Sequence, residues 1–369
     1  MSRETAYYPR LRALADQWME LFGYLAPVVV TDTLAEYRAC RETAALMDFS
    51  MLRKLDIDGP GALAFVNRIV TRDVESIPAG HIAYGALCDG DGKMVDDCTV
   101  MVRSPDRVRF CGANDRDAEL FASLAPAGIA VAEVTDALPH LCLQGPRSRE
   151  LLQTLTRQDL SNAAFPYYTF REDVEIAGIP VFMTRLGYTA ELGYELWVER
   201  ERALELWDTL IAELMPRGMK VIGMDALDLF RIEGGFIIGG IEYDPTVSPW
   251  ECGLGWSIDL EKGPFQGRDG IVRDRDATTL RLGSVVLDEG GADASGARLL
   301  VAGEDVGYVT QAVESPYLDG KTLGLAKLVS GVAGPGTAVV AQLPDRAVGG
   351  AVVSHPIYDP KRTRAKEVV

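Results

Sequence analysis

The chain has 369 residues, 47% of them hydrophobic and 25% charged, an ordinary globular balance that excludes a disordered, collagenous or coiled-coil protein. At about 150 residues per domain, the length predicts two or three domains. With 37 basic against 54 acidic residues the net charge is −17, which repels phosphate backbones and anionic lipid and argues against nucleic acid and membrane surfaces as partners.

No stretch approaches the ~18–20 apolar residues of a membrane span, and the charged opening segment predicts no signal peptide. Cys40, Cys88, Cys98, Cys111, Cys142 and Cys252 are scattered, without a C-x-x-C pair. His81, His140 and His355 are far apart in sequence. These patterns predict a reduced, cytoplasmic protein with no metal site.

In chain order, Asp32 or Thr31 caps a predicted helix over residues 32–46, with Leu34, Tyr37 and Ala45 on one face. Residues 52–58 read as a strand, and Gly59-Pro60 opens a helix carrying Ala62, Leu63, Val66, Ile69 and Val70. Residues 81–88 and 94–103 read as a hairpin around Asp89-Gly90-Asp91-Gly92-Lys93. A strand over 107–112, a helix over 115–124 and, after Gln144-Gly145-Pro146, a helix through Leu155 follow. Residues 173–186 are strand-like. Residues 201–214 form an amphipathic helix with Leu204, Trp207, Leu210, Ile211 and Leu214 on one side, and a further helix stops at Gly234-Gly235. From about residue 278, short apolar runs alternate with turns, as in a small β-domain. The glycine-rich stretch 331–336 reads as one of its turns rather than as a phosphate cradle.

Three places could carry chemistry. A two-residue turn at Gly90-Asp91 would set Tyr84 directly opposite Asp97, with Asp96 on the other face. An acid among Met94, Val95, Val100 and Met101 is unusual, although spacing alone favours an edge-strand charge or a turn-supporting carboxylate. The run Asp89-Gly90-Asp91-Gly92 fails as a calcium loop, with Met94 and Val100 where Gly and Glu are needed. In Gly187 through Trp197, two glycines bracket a turn, after which Glu195 and Trp197 share one strand face. Glu195 is open to two readings, a grip on a heterocycle with adjacent N–H donors or a surface charge. In the third place, Asp228 and Arg231 stand one helical turn apart, as an ordinary ion pair or as a ligand-holding arginine.

Taken together, the segments resemble the folate-dependent aminomethyltransferase family, the glycine cleavage T-protein and its relatives. The pieces in family order include Met47-Asp48-Phe49-Ser50, Tyr84 through Asp97, Gln144-Gly145-Pro146, Tyr167 through Arg171, Gly187 through Leu196, Asp228 through Glu233 and Gly253 through Trp256. The resemblance implies an α+β, three-domain cloverleaf with a C-terminal β-barrel. Its expected domains are residues 1–50 with 140–277 (folate-binding), 51–139 (carrying the Asp97 hairpin) and 278–369 (the barrel). It implies tetrahydrofolate as cosubstrate, Asp97 as the catalytic acid, and Tyr84, Phe170, Tyr188, Glu195, Arg231 and Arg364 as folate contacts. Arg364 fits the spacing after Tyr358 better than Arg362 for the folate tail.

The chain departs from the family at Ser50-Met51-Leu52-Arg53, at Tyr24-Leu25-Ala26-Pro27, at Ala190 and Leu192, and at Ile238, positions expected around the substrate. The expected activity is therefore methyl or methylene transfer from a small N-, S- or O-methyl donor to tetrahydrofolate. The alternatives are a glycine-cleavage-type aminomethyltransferase and a non-catalytic folate-binding protein. The latter's cysteine motif is replaced here by Lys262-Gly263-Pro264-Phe265. A separate flavoprotein or carrier protein remains an open partner.

Overall fold

The computed structural model describes residues 2–331 and 334–366. Val332 and Ala333 of the glycine-rich stretch lie outside the described residues. Among those described, the strands form a six-stranded sheet, a five-stranded sheet, a closed six-stranded barrel and a two-stranded ribbon. The α+β class and the C-terminal barrel match the expectation.

In the six-stranded sheet the order is Phe170–Ile176, Ile179–Thr184, Gly193–Trp197, His140–Gln144, Ala44–Asp48 and Met219–Val221. Only the last pairing is parallel. One face packs Leu46, Leu143, Tyr194 and Leu196 under the helix Ala203–Leu214, whose Leu206, Trp207 and Leu210 are buried. The other face lies against the helices Thr33–Glu42 and Met224–Gly234. Asp32 caps the first of these, its Oδ1 accepting from the Ala35 amide at 2.8 Å.

The helix predicted over 32–46 stops at Glu42 instead, and Ala44–Asp48 is a strand buried along its whole length. A short continuous apolar run is compatible with either state, and here sheet pairing on both edges decides it. Residues 173–186 are two strands of a hairpin, turned at Ala177-Gly178.

In the five-stranded sheet the order is Ile82–Cys88, Met94–Ser104, Arg107–Gly112, Arg53–Asp58 and Ala130–Glu133, all antiparallel. Its inner face packs Leu55, Ala83, Val100 and Phe110 against the helices Ala62–Asn67 and Asp117–Leu124. The turn joining the first two strands is longer than expected, closed by Asp89 Oδ1 accepting from the Asp91 and Lys93 amides at 2.9 Å. With a register shift at Cys88, Ala86 pairs with Asp97 and Tyr84 with Thr99. Tyr84 is therefore a diagonal neighbour of Asp97 on the same face, not its direct partner.

This turn docks on the start of the helix Arg268–Ala277. A Cβ at Gly92 would lie 2.6 Å from the Ile271 nitrogen, and one at Gly270 only 1.8 Å from the Asp91 carbonyl oxygen. Glycine at both places permits the close approach. Tyr243, Cys252, Phe265 and Ile271 then pack on Ala86, Cys88 and Met94. The barrel strands are Leu280–Leu287, Arg298–Val301, Glu304–Glu314, Thr322–Val329, Ala338–Gln342 and Ala347–Val353. Ile232 of the helix Met224–Gly234 meets barrel residues Leu323 and Leu325.

Candidate functional site

Strand alternation sends two acids into one cavity from different sheets. On Gly193–Trp197, Tyr194 and Leu196 enter the core, so Glu195 and Trp197 face the opposite way. On Met94–Ser104, Val100 enters the core and Asp97 and Thr99 face out. Both Asp97 and Glu195 line a cavity of about 160 Å³. Phe22, Phe49, Tyr84, Tyr168, Tyr188 and Phe236 supply its aromatic surface, and among the described residues no Lys or Arg lines it. The Tyr84 ring also stacks on Trp256, with centroids 5.6 Å apart.

The two acids sit in different surroundings. Asp97 Oδ2 accepts from the Tyr84 hydroxyl at 2.7 Å, and Oδ1 lies 2.6 Å from the Tyr243 hydroxyl. Behind it, Asp96 accepts from the Ala113 amide and, at 3.0 Å, from the Asn114 amide. Burial, then repulsion from Asp96, pushes Asp97 up to about 7. Burial likewise raises Asp96, and it raises Asp117 well above the carboxylate range, with Asp96 adding to the effect. Asp96 and Asp117 flank Gly112, where a Cβ would meet their Oδ2 atoms at 2.4 and 2.6 Å.

Glu195 is buried rather than a surface charge. Its Oε2 accepts from Thr184 Oγ1 at 2.8 Å and from the Trp197 indole at 3.2 Å; its Oε1 lies 3.7 Å from Cys142 Sγ. Burial raises this carboxyl too, opposed by the three donors and by the Lys54 ammonium. Lys54 itself donates to the Ser50 and Leu52 carbonyls and is pushed down to about 8 by burial.

Folding also gathers His140, Cys142 and Glu195, which the sequence separates. Their ligand atoms lie within 4.8 Å of one another and could in principle hold a metal ion. The donor set fits a cation poorly. Burial drives the Cys142 thiol well above its ordinary value, so it stays protonated, and Lys54 places a positive charge nearby. His140 stacks on Trp197 with centroids 4.5 Å apart.

The remaining residues expected from sequence fall in different places. Tyr84 and Tyr188 line the cavity, and the Tyr188 hydroxyl donates to the Ile237 carbonyl. Phe170 lies outside the lining and stacks on Phe182 at 5.0 Å. Arg231 is also outside it, buried, with Nε on Asp228 at 2.7 Å, Nη1 on Glu242 at 3.1 Å and Nη2 on Gln311. These contacts tie the helix Met224–Gly234 to the barrel. Arg364 is half-exposed, 3.5 Å from Glu191. The neighbouring Arg362 instead lies 4.4 Å over the Phe236 ring, with Nη2 donating to the Gly234 carbonyl and a buried Nη1 that has no partner among the described residues.

Of the departures from the family pattern, Met51, Leu52 and Ile238 do line the cavity. Ala190 and Leu192 are buried beyond it, and Leu21-Phe22 reach it in place of Tyr24 through Pro27. Sequence reasoning missed Tyr243, Asp117 and Phe236, and it set Arg362 second to Arg364 for the folate tail. Asp117 alone had a local signal, an acid in the first turn of a predicted helix. The others arrive from distant loops.

Comparison with known proteins accords with this architecture. Residues 7–262 match the family described as GCVT N-terminal domain, and residues 281–359 match the glycine cleavage T-protein C-terminal barrel domain. An aminomethyltransferase of Moorella thermoacetica is 32% identical over 96% of this chain and 98% of its own length. A trimethylamine-oxide aldolase of Ruegeria pomeroyi is 30% identical over 99% of this chain, which spans 48% of that protein. The crystal structure of the glycine cleavage system aminomethyltransferase T from Bartonella henselae superposes with a TM-score of 0.87. It covers 97% of this chain and 99% of its own at 20% identity, a likeness of fold.

Proposed function

The chain belongs to the glycine cleavage T-protein family of folate-dependent aminomethyltransferases, and on that footing we propose that it moves a one-carbon unit from a small methylated donor to tetrahydrofolate. The observation that carries the reading is the pair of unlike acids in one aromatic cavity. A reduced pterin presents adjacent N–H donors and a flat ring. Glu195, fixed by Thr184 and Trp197, offers a carboxylate to such donors, and Tyr84, Tyr168, Tyr188 and Phe236 offer faces to the ring.

Asp97 is the acid–base group. Near neutral pH it can hold or give up a proton at Oδ1 or Oδ2, which suits a transfer that changes the protonation of a nitrogen. Its hydrogen bonds to Tyr84 and Tyr243 fix its orientation. Arg362, at the Phe236 end of the cavity, is better placed than Arg364 to meet the carboxylates of a folate tail.

The donor side favours a small methyl compound over an aminomethyl-lipoyl arm. Met51, Leu52, Leu21 and Ile238 make that wall apolar. The aminomethyltransferase names of the relatives keep the glycine-cleavage reading as the alternative. The test is a screen of methylated amines, sulfonium compounds and methoxyaromatics with tetrahydrofolate, reading methyl- or methylene-folate. One productive donor is expected. Turnover only of an aminomethyl-lipoyl carrier would select the alternative. Calorimetry detecting no association with reduced folates would reject both.

A further inference from the structure

We propose that Asp97, the Tyr243 hydroxyl and Asp96 form a proton relay from the central cavity to a second pocket on the other side of the strand Met94–Ser104. The inference rests on the function proposed above and adds the route by which its proton leaves.

Neighbouring residues on a strand point to opposite faces, so Asp96 and Asp97 cannot normally share a partner. Tyr243 supplies one by reaching the strand from the loop after the helix Met224–Gly234. Its hydroxyl lies 2.6 Å from Asp97 Oδ1 and 2.8 Å from Asp96 Oδ1. A hydroxyl carries one proton and two lone pairs, so it can accept from one acid while donating to the other. The two acids also open on different spaces. Asp97 lines the central cavity, whereas Asp96, Asn114, Asp115, Tyr243 and Asp244 line the second pocket, of about 410 Å³. Phe22, Ala113 and Gly239 belong to both linings, so the wall between them is one residue thick.

The proton count closes. Asp97, once protonated at the transfer site, loses its O–H bond as a new O–H forms on Tyr243. The O–H that Tyr243 held breaks as one forms on Asp96. Asp97 returns as carboxylate, no electrons move, and Asp96 releases the proton to water in the second pocket. The Ala113 and Asn114 amides hold the Asp96 carboxylate between cycles.

The groups facing this chain of oxygens come from every side. Tyr84 and Cys98 belong to the hairpin, and the Asp97 charge reaches the Tyr168 and Tyr188 hydroxyls across the cavity, helping to raise both. Cys252 stands on the loop beyond Tyr243, its thiol raised in part by Asp97, and Asp117 bonds Asp96 from the helix behind it. Arg53 is the cation felt at Asp117, and it also pairs with Asp115.

Tyr243→Phe keeps the ring that packs with Met94, Cys252 and Phe265 and removes only the hydroxyl. Calorimetric affinity for tetrahydrofolate should stay within about threefold, while turnover falls about 10- to 100-fold and its solvent deuterium isotope effect rises. Independently of any donor, the Asp97 carboxyl can be titrated by infrared difference against Asp97→Asn. Its midpoint should move up by about one pH unit in Tyr243→Phe, which loses a donor, and down in Asp96→Asn, which loses a like charge. Asp96→Asn keeps an oxygen for the Ala113 and Asn114 amides and stands in if Tyr243→Phe does not fold. Wild-type turnover in Tyr243→Phe and Asp96→Asn, with Asp97→Asn inactive, would overturn the relay and leave the role of Asp97 intact. Full turnover in Asp97→Asn would overturn both, and an unmoved midpoint in both variants would overturn the relay without any assay of turnover.

Discussion

The hairpin side and the Gly193–Trp197 side of the cavity each present one acid, Asp97 half-buried and Glu195 buried, and desolvation raises both. Their neighbours make them different groups. Glu195 is met by a hydroxyl, an indole N–H and a thiol, with Lys54 nearby, so its charge is held in place. Asp97 has Asp96 at its back and Asp117 beyond, so its charge is resisted. A carboxylate surrounded by donors is suited to gripping, and one surrounded by acids is suited to exchanging a proton near neutral pH.

The sharpest way to break this contrast is to neutralise each acid in turn. Asp97→Asn keeps the shape and should lower turnover by about 10²–10⁴-fold, with tetrahydrofolate affinity changed by only a few-fold. Steady-state kinetics beside calorimetry separates the two; an equal loss in both would make Asp97 a gripping residue after all. Glu195→Ala should do the reverse, weakening binding by about 10- to 100-fold, the worth of hydrogen bonds to a charged group. Unchanged affinity would remove Glu195 from the pterin site.

A smaller effect distinguishes Asp97 through stability. Its ordinary value is 3.8, and in the folded protein it is about 7. Between those limits the folded chain holds more protons at this site than the unfolded chain, so its contribution declines as pH rises from about 4 to about 7 and is flat above. Asp97→Asn should therefore melt about 2–4 °C above wild type at pH 8, with the gap closing toward pH 5. A gap independent of pH would mean that Asp97 titrates normally.

The strands carrying both acids were legible because alternation is a local property. Alternation put Glu195 and Trp197 on one face and Tyr194 and Leu196 on the other before any packing was known, and the structure buries the latter pair in the core. The Asp97 register was less legible, because it depends on how Asp89 closes its turn and on the shift at Cys88. Burial of Glu195 could not be read at all, since it comes from the sheet's position against the rest of the chain. Tyr243 is harder still. It stands in a loop without periodicity and meets Asp97 beside a hairpin turn that Gly92, Gly267 and Gly270 let seat against the helix Arg268–Ala277. Arg231 was legible only in part, as an ion pair with Asp228 or a ligand-holding arginine. Its spacing from Asp228 was read correctly, but Glu242 and Gln311, both distant in sequence, complete its bonding.

The weakest effects test where the cavity's negative ends give way to a cation. Arg362 and Arg364 are two residues apart, yet their guanidinium groups diverge. Arg362 lies over Phe236, a cavity wall, with Nη1 buried and without a partner among the described residues, whereas Arg364 is half-exposed and 3.5 Å from Glu191. A 3.5 Å ion pair whose guanidinium is half-exposed is worth about 0–1 kcal/mol, and a buried guanidinium with a free N–H can gain more from a ligand carboxylate. Arg362→Ala should thus weaken tetrahydrofolate binding by about tenfold, and Arg364→Ala by no more than about twofold. Calorimetry with the same reduced pterin lacking its glutamate assigns the loss, because Arg362→Ala should leave that affinity unchanged. A larger loss in Arg364→Ala would route the tail past Tyr358 and restore the expectation drawn from spacing. An equal loss for both pterins would mean that Arg362 acts by holding Phe236 rather than by meeting the tail.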